Sequence, residues 1–179
     1  MDFTRDENKM NQLFEAFVLN FYKREYPKWK VTSPKINWKL EAIDEESDLN
    51  FLPEMRTDIT IDKGFEKVII DTKYYRSTLN SFYGSESVKS ENLYQIFSYL
   101  LNQRDGTSKT ENATGILLYP TIKQDYDLEY KYQNHPIHIK TINLNMNWKR
   151  IEDRLKNIIE DKHIEGVFLT LSKSKNFIY

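Results

Sequence analysis

The sequence predicts an α/β protein built on a mixed β-sheet with helices on both faces. Three observations carry that expectation. Apolar residues recur at helical spacing in three separated stretches, near 7–26, 91–103 and 148–159. Between and around them lie alternating or continuously apolar runs at 35–42, 56–62, 67–75, 115–120 and 136–144. Helical and extended stretches alternate only in part, which argues for a mixed rather than an all-parallel sheet. With 179 residues the chain reads as a single domain, 1–179, large enough to bury a substantial core.

Each element has its own signal. Met10, Leu13, Phe14, Phe17, Val18 and Phe21 make one apolar stripe, and Pro27 ends that helix. Ile36, Trp38 and Leu40 alternate with polar residues, as in a half-buried strand. Residues 43–54 are acidic and polar, a loop. RTDITID (56–62) and KVIIDTKYY (67–75) read as an antiparallel pair joined by Lys63-Gly64-Phe65-Glu66, with the glycine placed for a hairpin turn. The run Val68-Ile69-Ile70 suits a strand buried on both faces. A Ser- and Asn-rich connection follows at 76–90. The second helix carries Leu93, Ile96, Phe97, Leu100 and Leu101, and 104–113 is a polar loop. GILLYP (115–120) is a short buried strand stopped by Pro120, so 67–120 predicts a right-handed parallel crossover. Ile137, Ile139 and Ile142 alternate in a further strand. Trp148, Ile151, Leu155, Ile158 and Ile159 mark a third helix, and EGVFLTLS (165–172) reads as a last strand.

Composition excludes several functions. There is no cysteine, hence no disulfide, thiolate metal site or cysteine nucleophile, and this fits the cytoplasm. The opening MDFTRDENKM lacks the apolar core of a secretion signal, and no apolar run approaches the roughly 20 residues of a membrane span. No Walker motif is present, so the chain is not expected to hydrolyse nucleotides by itself. The formal net charge is −1, but it is unevenly spread: residues 41–71 hold ten acids and three bases. The remainder is net basic. Carboxylates inside a basic surround suit a metal site that handles a polyanion. The run EAIDEESD itself reads as a solvated loop. His135 and His138, three apart on a strand, face opposite ways and are not expected to share a metal.

The chemistry concentrates around Asp71-Thr72-Lys73. Acid-x-lysine triplets occur four times in the chain, and only context separates this one. In a strand, residues i and i+2 project to the same face, so Asp71 and Lys73 leave the end of the apolar strand together. Asp58 lies on the preceding strand, where a hairpin brings it towards Asp71. Two converging carboxylates repel unless a cation bridges them, and Mg²⁺ suits a few carboxylate oxygens plus water and phosphate. A neighbouring lysine can orient a water and stabilise charge on an attacked phosphate. The alternative is a surface hairpin with an Asp–Lys contact of under about 1 kcal/mol. Glu15 lies off the apolar stripe of the first helix, at the edge of the core. Gln95 and Tyr99, four apart, share one face of the second helix and can hold a base, a phosphate or a water. Tyr74, Tyr75, Phe82 and Tyr83 could stack on bases but read first as packing.

Taken together, these residues resemble the PD-(D/E)xK nuclease superfamily, and more closely the catalytic domain of the McrC family, the nuclease subunit of the methylcytosine-dependent McrBC restriction system. The matching elements are Leu13-Phe14-Glu15, Asp58-Ile59, Asp71-Thr72-Lys73-Tyr74, Leu93-Tyr94-Gln95 with Tyr99, and Leu117-Leu118-Tyr119-Pro120. The resemblance spans about residues 7–120. It implies a restriction-endonuclease-like core and Mg²⁺-dependent DNA endonuclease activity, with Mn²⁺ able to substitute. It implies Mg²⁺ on Asp58 and Asp71, Glu15 as a further metal or water ligand, Lys73 as catalytic lysine, and Gln95 positioning substrate. The implied partners are DNA and an AAA+ GTPase subunit. Family members carry an additional N-terminal region associated with that partner, and this chain starts close to the nuclease helix. Thr57 stands where the family has a proline, and Tyr75-Arg76 where it often has a second lysine. A homodimer would account for double-strand cleavage. A different class of function, a catalytically idle nuclease-fold module binding DNA or a partner, shares the same residues.

Overall fold

The structure is a computed structural model, and it describes residues 7–44, 48–75, 88–123 and 125–160. The chain divides into two compact units, Met1–Asn145 and Met146–Tyr179. In the first unit the elements run α1 (Glu7–Glu25), β1 (Lys30–Thr32), β2 (Lys35–Ile36), β3 (Met55–Arg56), β4 (Ile59–Asp62), β5 (Lys67–Thr72), α2 (Ser90–Asn102), α3 (Ser108–Glu111), β6 (Thr114–Thr121), β7 (Asp127–Tyr132) and β8 (His135–Asn143). The second unit contributes α4 (Trp148–Glu160), whose Leu155, Ile158 and Ile159 recur at helical spacing. The expected strand at 165–172 and most of the connection at 76–90 lie outside the described residues.

Six strands form one mixed sheet in the order β1-β4-β5-β6-β8-β7, and β2 pairs with β3 in a small separate ladder. β4 and β5 are antiparallel, with Ile59 opposite Ile70. β5 runs parallel to β6, and β6 to β8, so the connection through α2 joins two parallel neighbours, as expected of a crossover. The hairpin turn is closed by the Lys63 N–H on the Glu66 carbonyl at 2.9 Å, with Gly64 at φ 95°. The Gly64 N–H also donates to Asp62 Oδ1 at 2.8 Å.

The centre of the sheet is buried on both faces. Ile69, Leu117, Tyr119, Ile137 and Ile139 pack with Ile96, Tyr99 and Leu100 of α2. The alternate residues Val68, Ile70, Ile116 and Leu118 have no exposure at all. Gly115 lets α2 close on β6: a Cβ there would stand 2.8 Å from Ile96 Cγ1 and 2.9 Å from Leu100 Cδ1.

Several expectations are corrected. The half-buried strand at 35–42 is strand only at Lys35–Ile36; from Trp38 the chain leaves the ladder, and its indole N–H bonds to the Pro53 carbonyl at 2.7 Å. The strand beside β4 is instead the short β1, whose only buried residue is Val31. The strand at 56–62 is split between β3 and β4. β7 was not expected. It is an exposed, charged edge, the usual way a free edge is kept from pairing. Pro120 does not stop β6. Leu118 takes the Lys73 N–H on the β5 side, so Pro120, two residues on, turns its missing N–H to the same side, where β5 has ended. In α1, Leu13 is 59% exposed and Tyr22 takes an inner position with no exposure.

Candidate active site

The hairpin, α1 and α2 bring the six sequence-derived residues into one neighbourhood. The β5 run Val68-Ile69-Ile70 continues into Asp71, which is fully buried because β5 lies between β4 and β6. Lys73 follows on the same face and places Nζ 2.9 Å from Asp71 Oδ2, with only 14% of its side chain exposed. Among the described residues the Lys73 ammonium is the one donor against the Asp71 carboxylate. A fully buried carboxylate with so few donors is poorly stabilised as an anion. Burial first, and then the Asp58 carboxylate, push its pKa up to about 7, against the downward pull of Lys73. Burial lowers the Lys73 pKa, but the Asp71 carboxylate outweighs it and holds the ammonium above its ordinary value.

Asp58 sits one step beyond the Ile59–Ile70 pair, at the mouth of the hairpin. Its Oδ2 accepts the Thr72 N–H at 2.7 Å and the Thr72 hydroxyl at 2.9 Å. Glu15 is half-buried on α1; burial, then Asp58, raise its pKa, while Lys73 and Arg56 oppose them. Gln95 donates to the Tyr99 hydroxyl at 2.5 Å. Burial and then Asp71 raise the Tyr99 pKa, and Asp58 and Glu15 add to it, so the phenol keeps its proton.

Other contributors have weaker sequence signals. Asn11, one helical turn before Glu15, accepts the Tyr74 N–H at 3.0 Å and ties the chain after Lys73 to α1. Asn92 is buried on α2; its amide donates to the Tyr119 hydroxyl at 2.9 Å and accepts from that of Tyr75 at 3.0 Å. The i, i+4 spacing to Asn11 could have found the first. Nothing local marks Asn92, since an amide on a helix is ordinarily solvated. Thr57 is buried, and its N–H donates to the Pro34 carbonyl at 3.1 Å, a bond that proline could not make. His135 and His138 stay apart: His135 lies between the Ala113 carbonyl at 2.7 Å and Arg104, and His138 lies beside Glu129 at 3.7 Å.

The donor set suits a hard divalent cation. Asp71 offers two buried oxygens, one of them against the Lys73 ammonium, and both hydrogen bonds of Asp58 among the described residues fall on its Oδ2. No cluster of three or more histidine, cysteine or acidic side chains able to hold a metal occurs among the described residues. Mg²⁺ commonly needs only one or two carboxylates, the rest of its shell being water and phosphate.

Comparison with known proteins fits this geometry. A family described as "McrBC 5-methylcytosine restriction system component" matches residues 8–120, which hold α1, the hairpin, α2 and β6 almost to its end. The chain is 34% identical over 160 residues to the Type IV methyl-directed restriction enzyme EcoKMcrBC of Escherichia coli (strain K12). That match covers 89% of this chain and 45% of the relative, so the chain spans about half of that protein's length.

Proposed function

The chain belongs to the McrBC 5-methylcytosine restriction system component family, and on that premise we propose that it is a Mg²⁺-dependent endonuclease domain that hydrolyses phosphodiesters of DNA. One observation carries the reading: a fully buried aspartate whose close partner among the described residues is the Lys73 ammonium, with a second carboxylate, Asp58, near enough to raise its pKa. Two carboxylates beside one buried lysine leave more negative charge than that lysine neutralises, at a cost in stability. Such strain is common where a protein keeps oxygens ready for a ligand.

In this reading Asp58 and Asp71 hold Mg²⁺, or Mn²⁺ in its place, with Glu15 as a further ligand to the metal or its water. The bound ion supplies Lewis acidity and a water of lowered pKa. Lys73 stays protonated and offers its ammonium to the phosphate as negative charge develops there. Thr72 fixes the rotamer of Asp58. Tyr99, kept neutral, and Gln95 donate to phosphate or water beside Asp71. The substrate is DNA; by family resemblance an AAA+ GTPase subunit is the partner, the setting is the cytoplasm, and a double-strand break calls for two copies of the site. The absence of a three-ligand cluster among the described residues favours a second reading, an idle nuclease-fold module that binds DNA or a partner without cutting.

Plasmid cleavage with Mg²⁺ or Mn²⁺, with and without the GTPase subunit, separates the two. Cleavage abolished by EDTA and by Lys73→Ala supports the nuclease. No cleavage under any condition, together with no calorimetric Mg²⁺ binding, supports the idle module.

A further inference from the structure

A cavity of about 370 Å³ opens against the hairpin, floored in part by Ile69 and its cross-strand neighbour Thr60. Ile69 and Asp71 are two apart on β5 and so point to the same face. The cavity floor therefore lies about 7 Å along the strand from the buried carboxylate. Lys35, Lys39 and Lys67 line it together with Trp38, and no acidic residue does. That is a marked local bias in a chain with 27 acids and 26 bases.

We propose that this cavity receives a nucleotide of the strand being cut, a short way along from the scissile phosphate, with its phosphate on Lys67, about 13 Å along β5 from Asp71, and its base against Trp38. The inference rests on the nuclease reading above and names a binding subsite for it. Lys67 is the anchor. It is half-buried and donates to Gln103 Oε1 at 3.0 Å, and no carboxylate of the described residues lies within ion-pair distance of it. An ammonium has three donors, so two remain for a phosphate. Burial lowers its pKa, and Asp62 and Asp105 oppose that only in part from beyond ion-pair distance. Lys35 is paired with Glu54 and Lys39 is bonded to the Arg104 carbonyl, so of these two only Lys39 adds positive field, rather than contact. Trp38 is held by its bond to Pro53, so its ring is preorganised. A basic groove beside a fixed aromatic is how proteins hold single nucleic-acid strands. The volume suits a ligand of nucleotide size.

The test uses the full chain and a labelled single strand of about 12 nucleotides, a length within known site sizes. Anisotropy is read in EDTA, so that nothing is cut, over a range of salt. Lys67→Gln is expected to weaken binding about tenfold and to lower the slope of log K against log salt by about 0.7. Trp38→Leu is expected to weaken it by about tenfold or more. A strand bearing 5-bromodeoxyuridine should photocrosslink to Trp38 in the unaltered protein, a readout that needs no variant to fold. Unchanged affinity and slope in Lys67→Gln, with no crosslink at Trp38, would overturn the proposal. So would tight binding of a free deoxynucleoside monophosphate in the cavity while strand binding ignores both substitutions. Because binding is read without metal, the two readings fail separately. Binding through Lys67 and Trp38 without cleavage keeps the cavity and loses the nuclease; cleavage with both variants binding normally loses only the cavity.

Discussion

Thr72 gives both its backbone N–H, at 2.7 Å, and its hydroxyl, at 2.9 Å, to a single oxygen of Asp58. The middle residue of the acid-x-lysine triplet thus orients the carboxylate of the neighbouring strand. The two hydrogen bonds both fall on Oδ2 and leave Oδ1 without one among the described residues. Thr72→Val keeps the N–H bond and removes the other. It is expected to slow cleavage about tenfold, while global stability falls by only about 1 kcal/mol, as for one lost hydrogen bond. Cleavage rates and urea melts of the two proteins check both parts.

The raised Asp71 pKa makes metal-free stability depend on pH. The carboxyl titrates near 7 in the folded protein, against an ordinary value of 3.8. Between those limits the folded state holds a proton that the unfolded state has released. Stability from this group is therefore fully present below about pH 4 and lost as pH rises towards 7, by on the order of 2–4 kcal/mol. Urea melts in EDTA at pH 5 and pH 8 should show that fall, and Asp71→Asn should flatten it.

The same proton competes with the metal. Mg²⁺ affinity is expected to rise with pH until Asp71 is ionised near 7, and then to level off. Calorimetry in buffers of different ionisation enthalpy should record close to one proton released per ion at pH 6 and few at pH 8. Affinity independent of pH across that range would place the ion elsewhere.

Gly115 sets how closely α2 approaches the sheet. Its added Cβ would meet Ile96 and Leu100 below 3.0 Å, and Ile137 at 3.3 Å. Gly115→Ala is expected to cost about 1–3 kcal/mol by overpacking. It should also reduce cleavage by more than the stability loss explains, because α2 carries Gln95 and Tyr99 to the site. Thermal melts and single-turnover rates at a temperature where the variant is fully folded separate the two effects.

Much of this was legible in the sequence, and the gaps have physical causes. Long periodic stripes located α1, α2 and α4, and the apolar run before Asp71 located β5, because burial of many side chains leaves a regular pattern. β1 has one buried residue and β7 scarcely any, so backbone pairing rather than side-chain patterning makes them strands. Trp38 alternates like a strand residue, yet its indole bond to Pro53 takes the chain elsewhere. Within the site, residues two apart on a strand or four apart on a helix could be placed together in advance: Asp71 with Lys73, and Gln95 with Tyr99. Thr72, Asn92 and Thr57 act through contacts between distant segments, and no spacing encodes those.

Cleavage of a plasmid in Mg²⁺ by the unaltered chain and by Lys73→Ala, supplied with the GTPase subunit if the chain alone is silent, tests the central claim most directly. The account predicts nicked or linear product from the unaltered chain, abolished by EDTA, and a loss of at least about 100-fold in Lys73→Ala, the scale expected when a group that stabilises transition-state charge is removed. Equal cleavage by the two proteins, or cleavage that survives EDTA, would contradict it.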